Sequence, residues 1–163
     1  MSFRSTSKSK LKSRPVAGLR LESLETRAVP DATYYDLSSG NFSQNWTGTD
    51  TALSTADNWS GIPSIVGYLG DGITPTGTST DPQTVTNDST SVDLVPNSSA
   101  TATAGGVHEI ANDVVALHGS SAAIGPYLQF HMNATGRQDL TISYLLRELN
   151  STTTSQLFAL QYR

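Results

Sequence analysis

Strict alternation of apolar and polar residues near the C-terminal end constrains the fold of this chain most. Between Tyr127 and Met132 every second residue is apolar, and the same pattern recurs between Asp139 and Leu149. The apolar positions that share a side are Leu128, Phe130 and Met132 in the first segment and Leu140, Ile142, Tyr144 and Leu146 in the second. A period of two residues is typical of a strand with one buried face, so both segments are predicted to be β-strands.

Shorter apolar segments between polar turns predict further strands at 33–37, 65–69, 91–95, 107–110, 114–118 and 156–163. Pro96 is expected to end the strand at 91–95, because proline donates no ladder hydrogen bond. One helical turn is expected within 51–56, and the polar residues 73–90 are expected to form a long surface loop. No β-α-β pattern is present, so the predicted fold is all-β, an antiparallel β-sandwich of jelly-roll type.

The charge of the chain is divided between two regions. Residues 1–27 carry seven basic residues against two acidic ones, a net charge of +5, and residues 28–163 carry three arginines against twelve acidic residues, a net charge of −9. The first region has little to bury, so residues 1–30 are predicted to be a disordered basic tail and residues 31–163 the folded module. The acidic module would repel phosphates, so a nucleic-acid partner is not expected.

The C-terminal boundary of the module is unusual for a β-domain. The predicted strand at 156–163 runs to the last residue without a closing turn. We therefore expect the module to be truncated at its C-terminus, as a fragment of a longer protein would be.

The sequence contains neither cysteine nor a long apolar segment. The chain has no cysteine, which excludes disulfides and thiol nucleophiles. It has no run of 18 apolar residues, so no membrane span is predicted, and the basic N-terminal region lacks the apolar core of an ordinary signal peptide.

The stretch from Asp57 to Gly72 has the composition of a binding site, since it combines tryptophan, glycine and aspartate. Trp59 is expected to close one end of the core, with its indole N–H bonded to a loop carbonyl. Trp59, Asp57 and Asp71 are the candidate ligand-binding residues. The two aspartates flank the predicted strand at 65–69 and offer oxygen ligands that would suit calcium.

Catalysis within the chain is not predicted. No Gly-x-Ser-x-Gly motif occurs, and Glu109 and Glu148 are the only glutamates after residue 30. Three histidines, His108, His118 and His131, lack the spacing of a metal site, so whether the chain binds a metal is left open. No cofactor is expected, with calcium as the ion to test.

Residues 19–27 carry a more specific signal. The pattern Leu-Glu-x-Leu-Glu-x-Arg at 21–27, after a basic, serine-rich start, resembles the N-terminal motif shared by many exported proteins of planctomycete bacteria. The resemblance implies that residues 1–30 are an export address or a processing segment and not part of the fold.

The landmarks from Asn45 onward, among them Asp57-Asn58-Trp59-Ser60-Gly61 and Phe158-Ala159-Leu160-Gln161-Tyr162, resemble an extracellular β-sandwich module of large secreted bacterial proteins. That resemblance implies a non-catalytic module at the cell surface or outside the cell, with an adhesive, structural or spacer role. Its partners stay open, with surface glycans and other extracellular domains as the candidates. Two alternatives stay open, an accessory N-terminal fragment of a secreted nuclease-like or phosphoesterase-like hydrolase, and a carbohydrate-binding module.

Overall fold

A computed structural model of the chain describes residues 33–76, 84–85, 87–110, 114–149 and 158–162. The expected basic tail at 1–30 and parts of the predicted loop at 73–90 and strand at 156–163 lie outside these residues. The described part is all-β apart from one helix of four residues. Its elements are β1 (Tyr35–Asp36), α1 (Thr49–Ala52), β2 (Ile65–Tyr68), β3 (Pro75–Thr76), β4 (Thr84–Val85), β5 (Val95–Ser98), β6 (Gly106–Ile110), β7 (Val114–His118), β8 (Tyr127–Phe130) and β9 (Met132–Asn133).

The buried strand β2 lies at the centre of the described structure. All four of its residues are buried. On one side it pairs antiparallel with β8, with Ile65 opposite Phe130 and Tyr68 opposite Tyr127. On the other side residues 91–93 run beside it, through an antiparallel bridge between Tyr68 and Val92. The predicted strand at 65–69 is therefore confirmed.

A second sheet contains β5, β6 and β7 in that order. β6 and β7 form a regular antiparallel pair from Gly106 opposite His118 to Ile110 opposite Val114. Val107 of β6 belongs to the same buried cluster as the residues of β2, and it is fully buried together with Leu53 and Leu94. Leu53 enters this core from the end of α1, where its amide donates to the Thr49 carbonyl at 2.7 Å.

Parallel pairing is the main departure from the antiparallel fold that the sequence predicts. Of the five strand pairings among the described residues, two are parallel, β1 with β9 and β5 with β6. Each parallel strand is short, and β5 contains the proline that was expected to end a strand. The register of β5 shifts between Val95 and Ser98, which accommodates Pro96 as a bulge does. The Asn97 amide there donates to the buried carboxylate of Glu109 at 2.6 Å instead of to a ladder carbonyl.

The region expected to be a long loop holds more structure than its composition indicates. β3 and β4 pair antiparallel within it, and Ile73 and Ser89 are buried. Apolar residues are too few there to show a period, so sequence alone does not reveal these contacts.

Residues 139–149 form no regular strand, although apolar and polar residues alternate from Asp139 to Tyr144 before Leu145 interrupts the pattern. All of them are exposed, and so are residues 158–162. We call these two segments together the C-terminal arm. Among the described residues, no helix has the length and apolar character to cross a membrane.

Candidate functional site

Trp59 lies inside the core. Its side chain is 6% exposed, and the indole Nε1 donates to the Asp93 carbonyl at 3.1 Å. The ring also covers Gly67, where an added Cβ would lie 2.3 Å from the Trp59 ring atom Cζ2. The predicted hydrogen bond to a loop carbonyl is therefore confirmed. With both the ring and its N–H engaged, Trp59 does not present the open face that stacking on a sugar requires.

Asp57 holds the loop before Trp59 against the segment that follows Asp93. Its Oδ1 accepts a hydrogen bond from the Leu94 amide at 3.1 Å. The residue has a φ of 53°, in the left-handed region that aspartate tolerates better than most residues. Asp57 thereby fixes the turn that sends Trp59 into the core.

Asp71 has both carboxylate oxygens occupied by donors from one loop. Oδ1 accepts from the Ser89 hydroxyl at 2.5 Å and the Ser91 amide at 3.1 Å, and Oδ2 accepts from the hydroxyls of Thr90 and Ser91 at 2.9 and 2.8 Å. These donors, the Ser89 hydroxyl foremost, hold the pKa of Asp71 well below its usual value. The carboxylate is ionised and its lone pairs point at protein hydrogens.

The three candidate residues therefore act on a single segment. Asp71 binds its start at 89–91, Trp59 binds the Asp93 carbonyl, and Asp57 binds the Leu94 amide. We call residues 89–94 the clasped segment. It runs beside β2, with the Leu69 amide donating to the Ser91 carbonyl at 3.0 Å. The sequence singles out these three residues, but their common partner is distant in the chain.

Asp93 is the residue in this region whose importance the sequence does not reveal. Its backbone carbonyl receives the indole N–H of Trp59, and its carboxylate accepts the Val107 amide at the start of β6. Burial raises the pKa of this carboxylate, although the Val107 hydrogen bond opposes the shift. In the sequence, the only signal for Asp93 is its position in the alternating strand predicted at 91–95. Many exposed aspartates occupy such positions.

Two of the three histidines lie close together, and the third is separate from them. His108 and His118 lie on the adjacent strands β6 and β7, and both contact the Ala104 carbonyl, through Nε2 at 2.9 Å and Nδ1 at 2.8 Å. His131 lies apart, 3% exposed, with its ring edge-on to Tyr34. Within the described ranges, no group of three or more His, Asp or Glu side chains is placed to hold a metal ion.

A shallow groove of about 370 Å³ lies where the C-terminal arm leaves the body of the structure. Its lining residues are Leu37, Gly40, Asn41, Arg137, Gln138 and Leu140. Arg137 is the one charged residue in that lining. The groove joins the body to the apolar side of the arm through Leu140.

Comparison of the chain with protein-family models, curated proteins and solved structures finds no match.

Proposed function

We propose that this chain is a non-catalytic β-sandwich module of jelly-roll type that acts outside the cell or at the cell surface, in adhesion, in surface structure or as a spacer. The observation that carries this proposal is the clasped segment. The candidate ligand-binding residues are Asp57, Trp59 and Asp71. Their polar groups form hydrogen bonds with residues 89–94. This use of the polar side chains supports a structural or spacer role better than a catalytic one.

The arrangement of the core supports the sandwich. Buried residues of β2 and β6 belong to one cluster, and partly buried residues of β7 and β8 pack against it. A jelly roll places two such sheets face to face. The parallel pairs at β1–β9 and β5–β6 would then be local additions to an otherwise antiparallel framework.

Export is supported by the N-terminal resemblance at 21–27. The test is cell fractionation in a planctomycete host that expresses the full chain with a C-terminal epitope tag. We expect the tag in the surface or medium fraction and, on intact cells, its loss to added protease. A variant lacking residues 1–30 is the control and should stay inside the cell. A tag found only in the cytoplasm of cells expressing the full chain would contradict the proposal.

The non-catalytic part of the proposal is tested separately on purified protein. Assays with a phosphodiester substrate and added divalent cations should give no turnover above a buffer blank. Turnover that copurifies with the chain through two columns would overturn this part and favour the hydrolase alternative.

A further inference from the structure

The C-terminal arm presents an apolar side that nothing in the described structure covers. In an extended chain residues two apart share a side, so the even-numbered residues of 140–146 lie together. The rings of Tyr144 and Phe158 are 5.5 Å apart, which places the two segments of the arm next to each other. The side they share, which we call the arm face, consists of Leu140, Ile142, Tyr144, Leu146, Phe158, Leu160 and Tyr162.

The exposure of the arm face is large for a single molecule in water. Its seven side chains are between 40% and 96% exposed. With on the order of 200 Å² for a fully exposed large apolar side chain, the face leaves about 800 Å² accessible. Monomeric proteins rarely expose apolar patches larger than a few hundred Å², and larger ones mark interaction sites.

The backbone of the first segment of the arm is also available for association. Among the described residues, 138–149 take part in no hydrogen bond with the rest of the chain. Charged residues stand only at the ends of the first segment, with Asp139 at one end and Arg147 and Glu148 at the other. An apolar centre with a charged rim is the usual anatomy of a protein interface.

We propose that the arm face docks on the arm face of a second copy of this chain, in a two-fold symmetric dimer. We choose a second copy as the partner because the accessible area of the arm face matches the area of about 800 Å² that a standard interface buries on each partner. A face of like apolar side chains is complementary to itself, and a two-fold axis brings the same patch of both copies together and closes the assembly. This inference rests on the arm alone and does not depend on the proposed function.

The test is the mass of the full chain in solution, measured by sedimentation velocity from about 1 to 100 µM, a range that spans typical weak to moderate homodimers. We expect a concentration-dependent shift from monomer to dimer. Ile142→Asp places a charge at the centre of the arm face and should weaken dimerisation at least tenfold. Ser143→Asp adds the same charge on the opposite side of the arm and should leave the dimer intact.

Circular dichroism and the thermal midpoint of both variants should match the wild type, because residues 142 and 143 are exposed. A wild type that stays monomeric to 100 µM would overturn the proposal and assign the face to another partner. Equal dimerisation of Ile142→Asp and wild type, equal loss in both variants, or open-ended aggregation in place of a dimer would overturn it as well.

Discussion

Gly67 lies where β2 passes beneath the ring of Trp59. A Cβ at this position would lie 2.3 Å from one atom of that ring and 3.0 Å from the Asp93 carbonyl oxygen. Both neighbours are fixed by the hydrogen bond that joins them, so neither can move away cheaply.

We expect Gly67→Ala to lower the free energy of unfolding by about 1–3 kcal/mol, the usual cost of overpacking a core. Urea denaturation followed by tryptophan fluorescence measures the change. Gly119→Ala is the matched control, because its Cβ would come no closer than 3.8 Å to another residue. It should change stability by less than about 0.5 kcal/mol. Equal stability of both variants would show that Trp59 does not rest on β2.

The Asp71 carboxylate links its own turn to the clasped segment only while it is ionised. Its pKa is lowered in the folded chain, so its stabilising effect is complete above the unfolded value of 3.8 and is lost as the pH falls below that value. Asp71→Asn should therefore unfold at a lower temperature than the wild type at pH 6, and the two midpoints should converge toward pH 2.

Asp139→Asn serves as the control for Asp71→Asn, since it removes one negative charge from an exposed residue of the arm. Its midpoint should follow that of the wild type at every pH. A constant difference between Asp71→Asn and wild type from pH 6 to pH 2 would contradict the assigned role of the ionised carboxylate.

His131 is buried and stays neutral more readily than a histidine in water. Burial lowers its pKa, and the Nε2 atom has no hydrogen-bond partner among the described residues. The unfolded chain binds a proton near pH 6.5 while the folded one resists it, so stability should decrease as the pH falls below 6.5.

Replacing His131 with Phe should flatten this decrease between pH 7 and pH 5, as followed by thermal midpoints at each pH. His118→Gln, at an exposed position, should keep the wild-type slope. The same slope in wild type and His131→Phe would show that another group is responsible.

At the scale of elements, β2 and the first segment of the C-terminal arm differ in burial and in backbone pairing. Both carry alternating or continuous apolar residues, yet β2 is buried and paired on two sides, while 139–149 is exposed. Hydrogen exchange should separate them, because exchange follows burial and hydrogen bonding of the backbone. At low protein concentration, where the proposed dimer dissociates, we expect the amides of β2 to exchange slowly and those of 139–149 within seconds.

Ile65→Ala in β2 should remove about 2–5 kcal/mol of stability, since Ile65 is 1% exposed and its truncation leaves a cavity. Ile142→Ala is the same substitution in the arm and should cost less than about 0.5 kcal/mol at concentrations where the chain is monomeric. Chemical denaturation of the two variants gives the comparison. A large loss for Ile142→Ala would mean that the arm packs on its own body.

Sequence patterns predicted the positions of strands better than they predicted which strands pair and which side chains form hydrogen bonds. The strands at 65–69, 107–110 and 114–118 were found because side-chain period and turn residues are local properties. The parallel pairs were missed, since a period of two does not state which strand lies alongside or in which direction. For the same reason Asp71 was recognised as a candidate, but the hydroxyls of Ser89 and Ser91 that occupy it were not. Alternation at 139–149 predicted one buried face, and the described structure contains no surface that covers it.

At the scale of the whole molecule, the few arginines after residue 27 allow trypsin to test whether the C-terminal arm is accessible. After Lys12 the chain contains no lysine, and after residue 27 only Arg137, Arg147 and Arg163. Apart from cuts in the basic tail at 1–30, trypsin should therefore cleave dilute protein first at the exposed Arg147 and leave the rest of the module intact, as shown by mass spectrometry. Early cleavage at Arg137 would be inconsistent with a body that ends where the arm begins.

The pairing of β1 with β9 has a consequence for how the module is made. The Tyr35 amide donates to the His131 carbonyl and the Leu37 amide to the Asn133 carbonyl, so the first strand depends on residues that the ribosome adds much later. Contacts between such distant parts of a chain slow folding, because the intervening loop must close first. Closure of this module is thus a late event of biosynthesis, and its N-terminal edge stays available to chaperones until the residues of β9 have been synthesised.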